Sequence, residues 1–282
     1  MQLQIRRAID LILGRGPSAL RPQLKEVTVV FTDLAGFVSM SGNPKRKAVV
    51  LKEPMSLLVP IVRRHGGHLN RLLGDRMMYF FNAPRHNPHH ARDAVASALE
   101  MQAAIAGFAP PPSDGALPAL KLRCGIVTGE VVVGKVGPAD DSVADYTALG
   151  DNVNLASRLE SANRYVDTGI LLNDRARELA GDSFLYRPVG ILKIVGSTGV
   201  MMTEALALME SATDQQKRLA EMTADVVNAF IHADFARALK LAHSIADQLG
   251  KTRLASLYAT ECERHLATPP QDFTGELALS EA

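Results

Sequence analysis

Residues 26–37 read Glu26-Val27-Thr28-Val29-Val30-Phe31-Thr32-Asp33-Leu34-Ala35-Gly36-Phe37. Up to Thr32 the stretch is short, apolar and β-branched, the pattern of a buried strand. Asp33 stands where that strand ends. Sheets of α/β type place their chemistry at such strand mouths. This one stretch therefore predicts an interior strand and a candidate site beside it.

Working outward, residues 44–65 read as helical, with Pro54 and Pro60 inside. Those prolines are expected to kink the helix or split it in two. After the Gly66-Gly67 break, His68–Leu73 and Arg76–Asn82 read as two strands joined by a tight Gly74-Asp75 turn. Residues 88–108 carry Ala91, Ala94, Val95, Ala98, Met101 and Ile105 at helical spacing. A Pro- and Gly-bearing loop follows at 110–118. Residues 120–127 and 131–137 read as strands around a Thr128-Gly129-Glu130 turn, and 143–149 as another strand after a loop at 138–142. A helix from Asn152 carries Val153, Leu155, Ala156, Leu159 and Ala162. Strand 170–172, a short helix from Asp174, and strands 183–195 and 200–206 complete this part.

Composition shifts near Met209. From Asp214 the spacing predicts three helices, with breaks at His232-Ala233-Asp234 and Gly250-Lys251. One helix pair resembles a single tetratricopeptide-like unit, and without a second copy no solenoid is supported. Residues 269–282 read as loop. At the other end, Leu3, Ile5, Ala8, Ile9, Ile12 and Leu13 suggest a short amphipathic helix. The expected organisation is a helical segment and linker at 1–22, a main domain at 23–208 and a helical extension at 209–282.

Composition narrows the function classes. The chain has 282 residues, with 31 Lys plus Arg against 30 Asp plus Glu, a net charge of +1. A general nucleic-acid binder normally carries a basic excess, so no nucleic-acid partner is expected. Cys124 and Cys262 are the only cysteines and cannot build a disulfide framework, which points to a reducing, cytoplasmic setting. No run of 18 apolar residues is present, so no membrane span is expected, and no secretion signal is visible. His86, His89 and His90 read as exposed loop histidines, Cys124 as a small core residue, and Met77, Met78, Phe80 and Phe81 as core.

Candidate chemistry lies in four pieces: Phe31–Phe37, Asn70–Asp75, Arg123–Val131 and Asp145–Glu160. Asp33 ends one strand and Asp75 sits in a turn between two others. On neighbouring strands the two carboxylates can converge into a Mg²⁺ or Mn²⁺ site. Taken singly, each reads as a solvated strand end or a turn cap. Asn154 and Arg158 are four residues apart and share one helix face; the bland alternative is a polar face on which Arg158 pairs with Glu160 or Asp151.

Together, in this order and with these strand and helix contexts, the four pieces resemble the class III nucleotidyl cyclase catalytic domain over residues 25–207. The tail, around Leu257-Tyr258 and Pro269-Pro270-Gln271-Asp272-Phe273, resembles the helical extension of some bacterial adenylyl cyclases. The resemblance implies an α/β fold with a ferredoxin-like βαββαβ core, extra strands and helices, and a small all-α tail. It implies that Asp33 and Asp75, with the Leu34 carbonyl, hold two Mg²⁺ or Mn²⁺ ions. It further implies that Asn154 orients the ribose and that Arg158 stabilises charge on the α-phosphate of ATP. The product would be 3′,5′-cyclic AMP with pyrophosphate, formed at a homodimer interface in intracellular signalling.

Two positions depart from the family pattern. The base-reading Lys is replaced by Arg71, paired with Thr147. A late phosphate-binding Lys is replaced by Val195, and Lys193, two residues earlier on the same strand face, either substitutes or is merely exposed. Arg71 donates but cannot accept hydrogen bonds, which favours adenine over guanine. The alternatives are a guanylate cyclase, or a catalytically weak or inactive nucleotide-binding or regulatory domain. The tail is a candidate surface for a protein partner.

Overall fold

The computed structural model describes residues 21–36, 44–108, 120–136, 145–193 and 199–278. The expected N-terminal helix, the loops at 110–118 and 138–142, and Val195 lie outside the described residues. In chain order the elements are β1 (Gln23–Ala35), α1 (Pro44–Arg64), β2 (His68–Leu73), β3 (Arg76–Phe81), α2 (His90–Ala106), β4 (Lys121–Val136), β5 (Asp145–Leu149), α3 (Asp151–Val166), β6 (Ile170–Asn173), α4 (Asp174–Ala180), β7 (Phe184–Lys193) and β8 (Val200–Leu208). Then come α5 (Asp214–Ile231), α6 (Phe235–Leu249), α7 (Arg253–Ala267) and β9 (Glu276–Ala278).

The strands form one sheet in the order β2-β3-β1-β4-β6-β8-β7-β9, with β5 pairing β4 at the side. Pairs β2–β3, β3–β1 and β1–β4 are antiparallel. With α1 and α2 they make the expected βαββαβ core. Alternation along β1 divides the interior. Val27 and Val29 point into a core shared with α3, α5, α6 and α7. Val30 and Leu34 point the other way, into a core shared with α1, α2 and α4. The result is a sheet between two helical layers.

Four features differ from the sequence reading. First, α1 is not split: it runs through Pro54 and Pro60. Met55, Leu58, Ile61 and Val62 bury one face of it, and tertiary packing sustains helix where local propensity is poor. Second, there is no turn at 128–130. β4 is one strand in unbroken register with β1, from Lys121 opposite Ala35 to Val133 opposite Gln23. The Thr28 and Thr128 hydroxyls bond across it at 2.7 Å. Third, the tail is not loop to its end, because β9 adds in parallel to β7. Fourth, His90 is buried, with Nδ1 2.7 Å from the Thr28 hydroxyl; it opens α2 under the sheet rather than sitting in an exposed loop. Cys124, Met77, Met78, Phe80 and Phe81 are buried as expected. β8 ends at Leu208, and one core continues from the main sheet into the three C-terminal helices.

Candidate active site

Two glycines on β4 explain how α3 comes to lie on the sheet. A Cβ at Gly125 would stand 2.2 Å from the Ala156 carbonyl oxygen and 2.3 Å from the Glu160 nitrogen. A Cβ at Gly129 would stand 2.3 Å from the Asn152 amide nitrogen. What reads locally as turn chemistry at Gly129 is room for the Asn152 side chain, and Gly125 admits the helix backbone itself. Asn152 donates from Nδ2 to the Glu130 carbonyl at 3.0 Å, and Asn163 donates from Nδ2 to the Cys124 carbonyl at 2.9 Å. Helix and strand are thus tied at both ends of the contact.

Asp33 lies on the α3 face of β1, in phase with Val27, Val29 and Phe31. The Leu34 amide donates to the Asp75 carbonyl at 3.2 Å, which brings the β2–β3 turn against the end of β1. In register, Asp33 stands between Arg76 of β3 and Arg123 of β4. Arg76 Nε donates to Asp33 Oδ1 at 3.3 Å. The Asp33 side chain is only 15% exposed. Burial, and next the Asp75 charge, push its carboxyl above the usual carboxylate range, while Arg76 and Arg123 pull it back. Glu160 is a third carboxylate here, and the sequence reading assigned it no role. It is buried, accepts from the Ser161 hydroxyl at 3.3 Å, and is raised by burial and then by the Asp33 charge.

Three carboxylates thus face two guanidiniums, one of them on a half-exposed side chain. Hard oxygen donors short of positive charge suit a divalent cation such as Mg²⁺ or Mn²⁺. Among the described residues no group of three or more His, Cys, Asp or Glu could hold a metal ion alone. An ion at Asp33 and Asp75 would complete its shell from backbone, water or phosphate. Arg123 was also missed by the sequence reading. Its signal was present, since it lies in one of the four pieces, but only the register shows that it flanks Asp33.

Arg71 is exposed on β2, just after an irregularity in the β2–β3 pairing that falls between Leu69 and Arg71. Asn70, at that irregularity, donates from Nδ2 to the Tyr146 carbonyl at 2.9 Å and accepts from the Thr147 hydroxyl at 3.2 Å. The His68 and Phe80 rings pack on Tyr146, with centroids 5.4 and 6.1 Å away. Arg71 and Thr147 are therefore linked through Asn70.

Asn154 and Arg158 are exposed on α3, and among the described residues their side chains make no hydrogen bond or ion pair. Arg158 pairs with neither Glu160 nor Asp151. Lys193 ends β7, separated from β1 by β4, β6 and β8, with Nζ 3.8 Å from Glu276 Oε2 of β9. The structure thus gathers Asp33, Leu34 and Asp75, links Arg71 to Thr147, displays Asn154 and Arg158 together, and ties Lys193 to the tail.

The family described as the adenylate and guanylate cyclase catalytic domain matches residues 20–223. Adenylate cyclase 1 of Rhizobium meliloti is 33% identical over 210 residues, covering 73% of this chain and 31% of that protein. The receptor-type guanylate cyclase Gyc76C of Drosophila melanogaster is 29% identical over 221 residues, covering 76% of this chain and 14% of that one. The chain thus spans less than a third of either relative. The crystal structure of the adenylyl cyclase CyaB from P. aeruginosa superposes with a TM-score of 0.58 at 28% identity, over 69% of this chain and 100% of that one. Among the described residues no helix is long and apolar enough to cross a membrane. The family match spans well over half of the sequence, and the chain belongs to the family of adenylate and guanylate cyclase catalytic domains.

Proposed function

We propose that this domain is an adenylate cyclase that works as a homodimer, converting ATP to 3′,5′-cyclic AMP and pyrophosphate. The observation that carries the reading is the Asp33–Asp75 pair, a carboxylate raised by burial and by a like charge, set against an uncovered helix face bearing Asn154 and Arg158. Bound between the two aspartates, Mg²⁺ or Mn²⁺ would lower the pKa of the ribose 3′-hydroxyl and neutralise phosphate charge.

The chain's own residues do the rest. Asp33, Asp75 and the Leu34 carbonyl hold the ion site in place. Arg123, opposite Asp33, is aimed to meet phosphate oxygens beside it. Asn154 orients the ribose. Arg158 offers a planar fork that stays charged and contacts two oxygens of the transferring phosphate. Arg71 donates to a ring nitrogen of the base and Thr147 serves the amino group. Among the described residues no hydrogen bond or ion pair joins Asp33 or Asp75 to Asn154 or Arg158, which supports a site divided between protomers, two equivalent sites per symmetric dimer.

Product analysis after incubation with ATP or GTP and Mn²⁺ tests the reading, with cyclic AMP as the expected main product. Mixing Asp33→Ala and Arg158→Ala protomers tests the division. Each alone is expected to be dead. Random exchange makes half the dimers mixed, each with one intact site, so about a quarter of wild-type activity returns. A dead mixture with verified exchange places the site within one chain. The Lys193–Glu276 contact favours a second reading, a slow or inactive nucleotide-binding domain, because the remaining candidate for a terminal-phosphate lysine is turned toward the tail.

A further inference from the structure

The three C-terminal helices do more than extend the chain. α5 packs along β7, and β9 adds a strand beside β7. Tyr258 of α7 is 1% exposed and donates its hydroxyl to the Val189 carbonyl at 2.8 Å. It enters a notch that exists because residue 190 is glycine, where a Cβ would lie 2.0 Å from the Tyr258 oxygen. From this anchored body, Arg253 at the start of α7 reaches across and donates from Nε to the Tyr165 carbonyl at 2.5 Å.

Tyr165 lies in the last turn of α3, the helix that presents Asn154 and Arg158 in its first two turns. Carbonyls of a last turn have no partner within the helix, and a cation there also meets the negative end of the helix dipole. The other end of α3 starts at Gly150 with no side-chain cap. The backbone contacts at Gly125 fall on residues 156–160 and make a pivot in mid-helix. At about 1.5 Å per residue, Tyr165 is ~10 Å to one side of residue 158 and Asn154 ~6 Å to the other. A 1 Å release at Tyr165 therefore swings Asn154 by at most ~0.6 Å, against the restraint of the Asn152 bond to the Glu130 carbonyl.

We infer that the C-terminal helices clamp α3, with Arg253 as a positioning residue that holds the Asn154 and Arg158 end of the helix in register with the site. This rests on the reading of α3 as the substrate-facing helix. It gives the tail a role inside the same chain, as a handle through which any force on α5–α7 reaches the site.

The test uses the full chain with ATP and Mn²⁺, comparing wild type, Arg253→Ala, Arg253→Lys and Arg158→Ala. Amide hydrogen exchange across residues 151–168 is followed beside kcat, KM and the thermal midpoint. Arg253 is exposed, so Arg253→Ala is expected to stay folded with a near-native midpoint. Exchange in the last turn of α3 should quicken severalfold, and kcat should fall ~10-fold with KM within about twofold, given how steeply rate depends on sub-ångström placement. Arg253→Lys restores a cation and one donor, and should recover at least half of kcat. Native exchange and native kcat in Arg253→Ala, beside a dead Arg158→Ala, overturn the inference alone. A kcat loss that Lys does not recover also overturns it. Full activity in Arg158→Ala overturns the reading of α3 and the inference with it.

Discussion

Two of the cross-strand pairs of arginine and carboxylate in the sheet are built to opposite ends. Arg187 of β7 faces Glu204 of β8, and Arg76 of β3 faces Asp33 of β1. In the first, both side chains are at most 7% exposed, and Arg187 Nε donates to Glu204 Oε2 at 2.8 Å. The Gly169 amide donates to the other oxygen at 2.9 Å. Burial pushes the Glu204 carboxyl up, and Arg187 and Gly169 oppose it. In the second, Arg76 is 53% exposed and makes one long contact, while Asp75 and Glu160 crowd the same region with further negative charge. A carboxylate that serves structure is surrounded until it needs nothing more. Asp33 is left short of positive charge, and on the proposed reading that shortage is what a divalent ion fills.

The strongest way to break this contrast is to remove the unsatisfied side. Asp33→Ala or Asp75→Ala is expected to cut kcat by about 10³-fold or more, the scale of the several kcal/mol a bound divalent ion supplies. The thermal midpoint should hold or rise, because like-charge repulsion is relieved. Cyclic-nucleotide assays beside thermal melts give both numbers, and an unchanged kcat in Asp33→Ala defeats the cyclase reading outright.

Breaking the satisfied side should do the reverse. Glu204→Ala leaves Arg187 buried without a partner, which costs about 3–5 kcal/mol of stability. Denaturant titration measures that loss, and kcat per folded molecule should stay within about threefold of wild type. A large kcat defect with little loss of stability would show that the two clusters are not separable.

Base reading comes next in size. Arg71→Ala is expected to lower kcat/KM for ATP by about 1–3 kcal/mol, one lost hydrogen bond from a charged donor. It should also narrow the preference for ATP over GTP, because the lost contact discriminates between bases. Steady-state kinetics with both nucleotides decide it, and an unmoved ATP:GTP ratio means that Arg71 faces away from the base.

The smallest effect is on pH dependence. Burial holds His68, His90 and His265 below the usual histidine value. The unfolded chain takes up these protons near pH 6.5 while the folded chain resists. Their contribution is therefore full above pH 6.5 and is lost as pH falls below it toward the folded values. Urea midpoints at pH 7.5, 6.5 and 5.5 should decline in wild type. His90→Gln should flatten that decline by about 1 kcal/mol or less, and an unaltered slope would assign it to other groups.

Much of the candidate site was legible because the chemistry proposed for it is written in residue types at short range. Asp33 follows an apolar run, Asp75 follows a glycine in a turn, and Asn154 and Arg158 are one helical turn apart. The misreadings arose where a residue's meaning depends on a distant neighbour. Gly129 looks like a turn residue until α3 is laid beside it. Pro54 and Pro60 look like breaks until α1 is packed. Glu160 is one more acidic residue in a polar helix until burial sets it near Asp33.

The sequence by itself determined the family, most of the order of strands and helices, and the residue types at the candidate site, because periodicity and motif spacing are local quantities. Only the tertiary structure decided that Arg76 and Arg123 flank Asp33, that Asn70 joins Arg71 to Thr147, and that the tail completes the sheet and grips α3. Those relations depend on strand register and on which backbones can approach, and both are settled by packing between segments as much as 90 residues apart along the chain, as Arg123 is from Asp33.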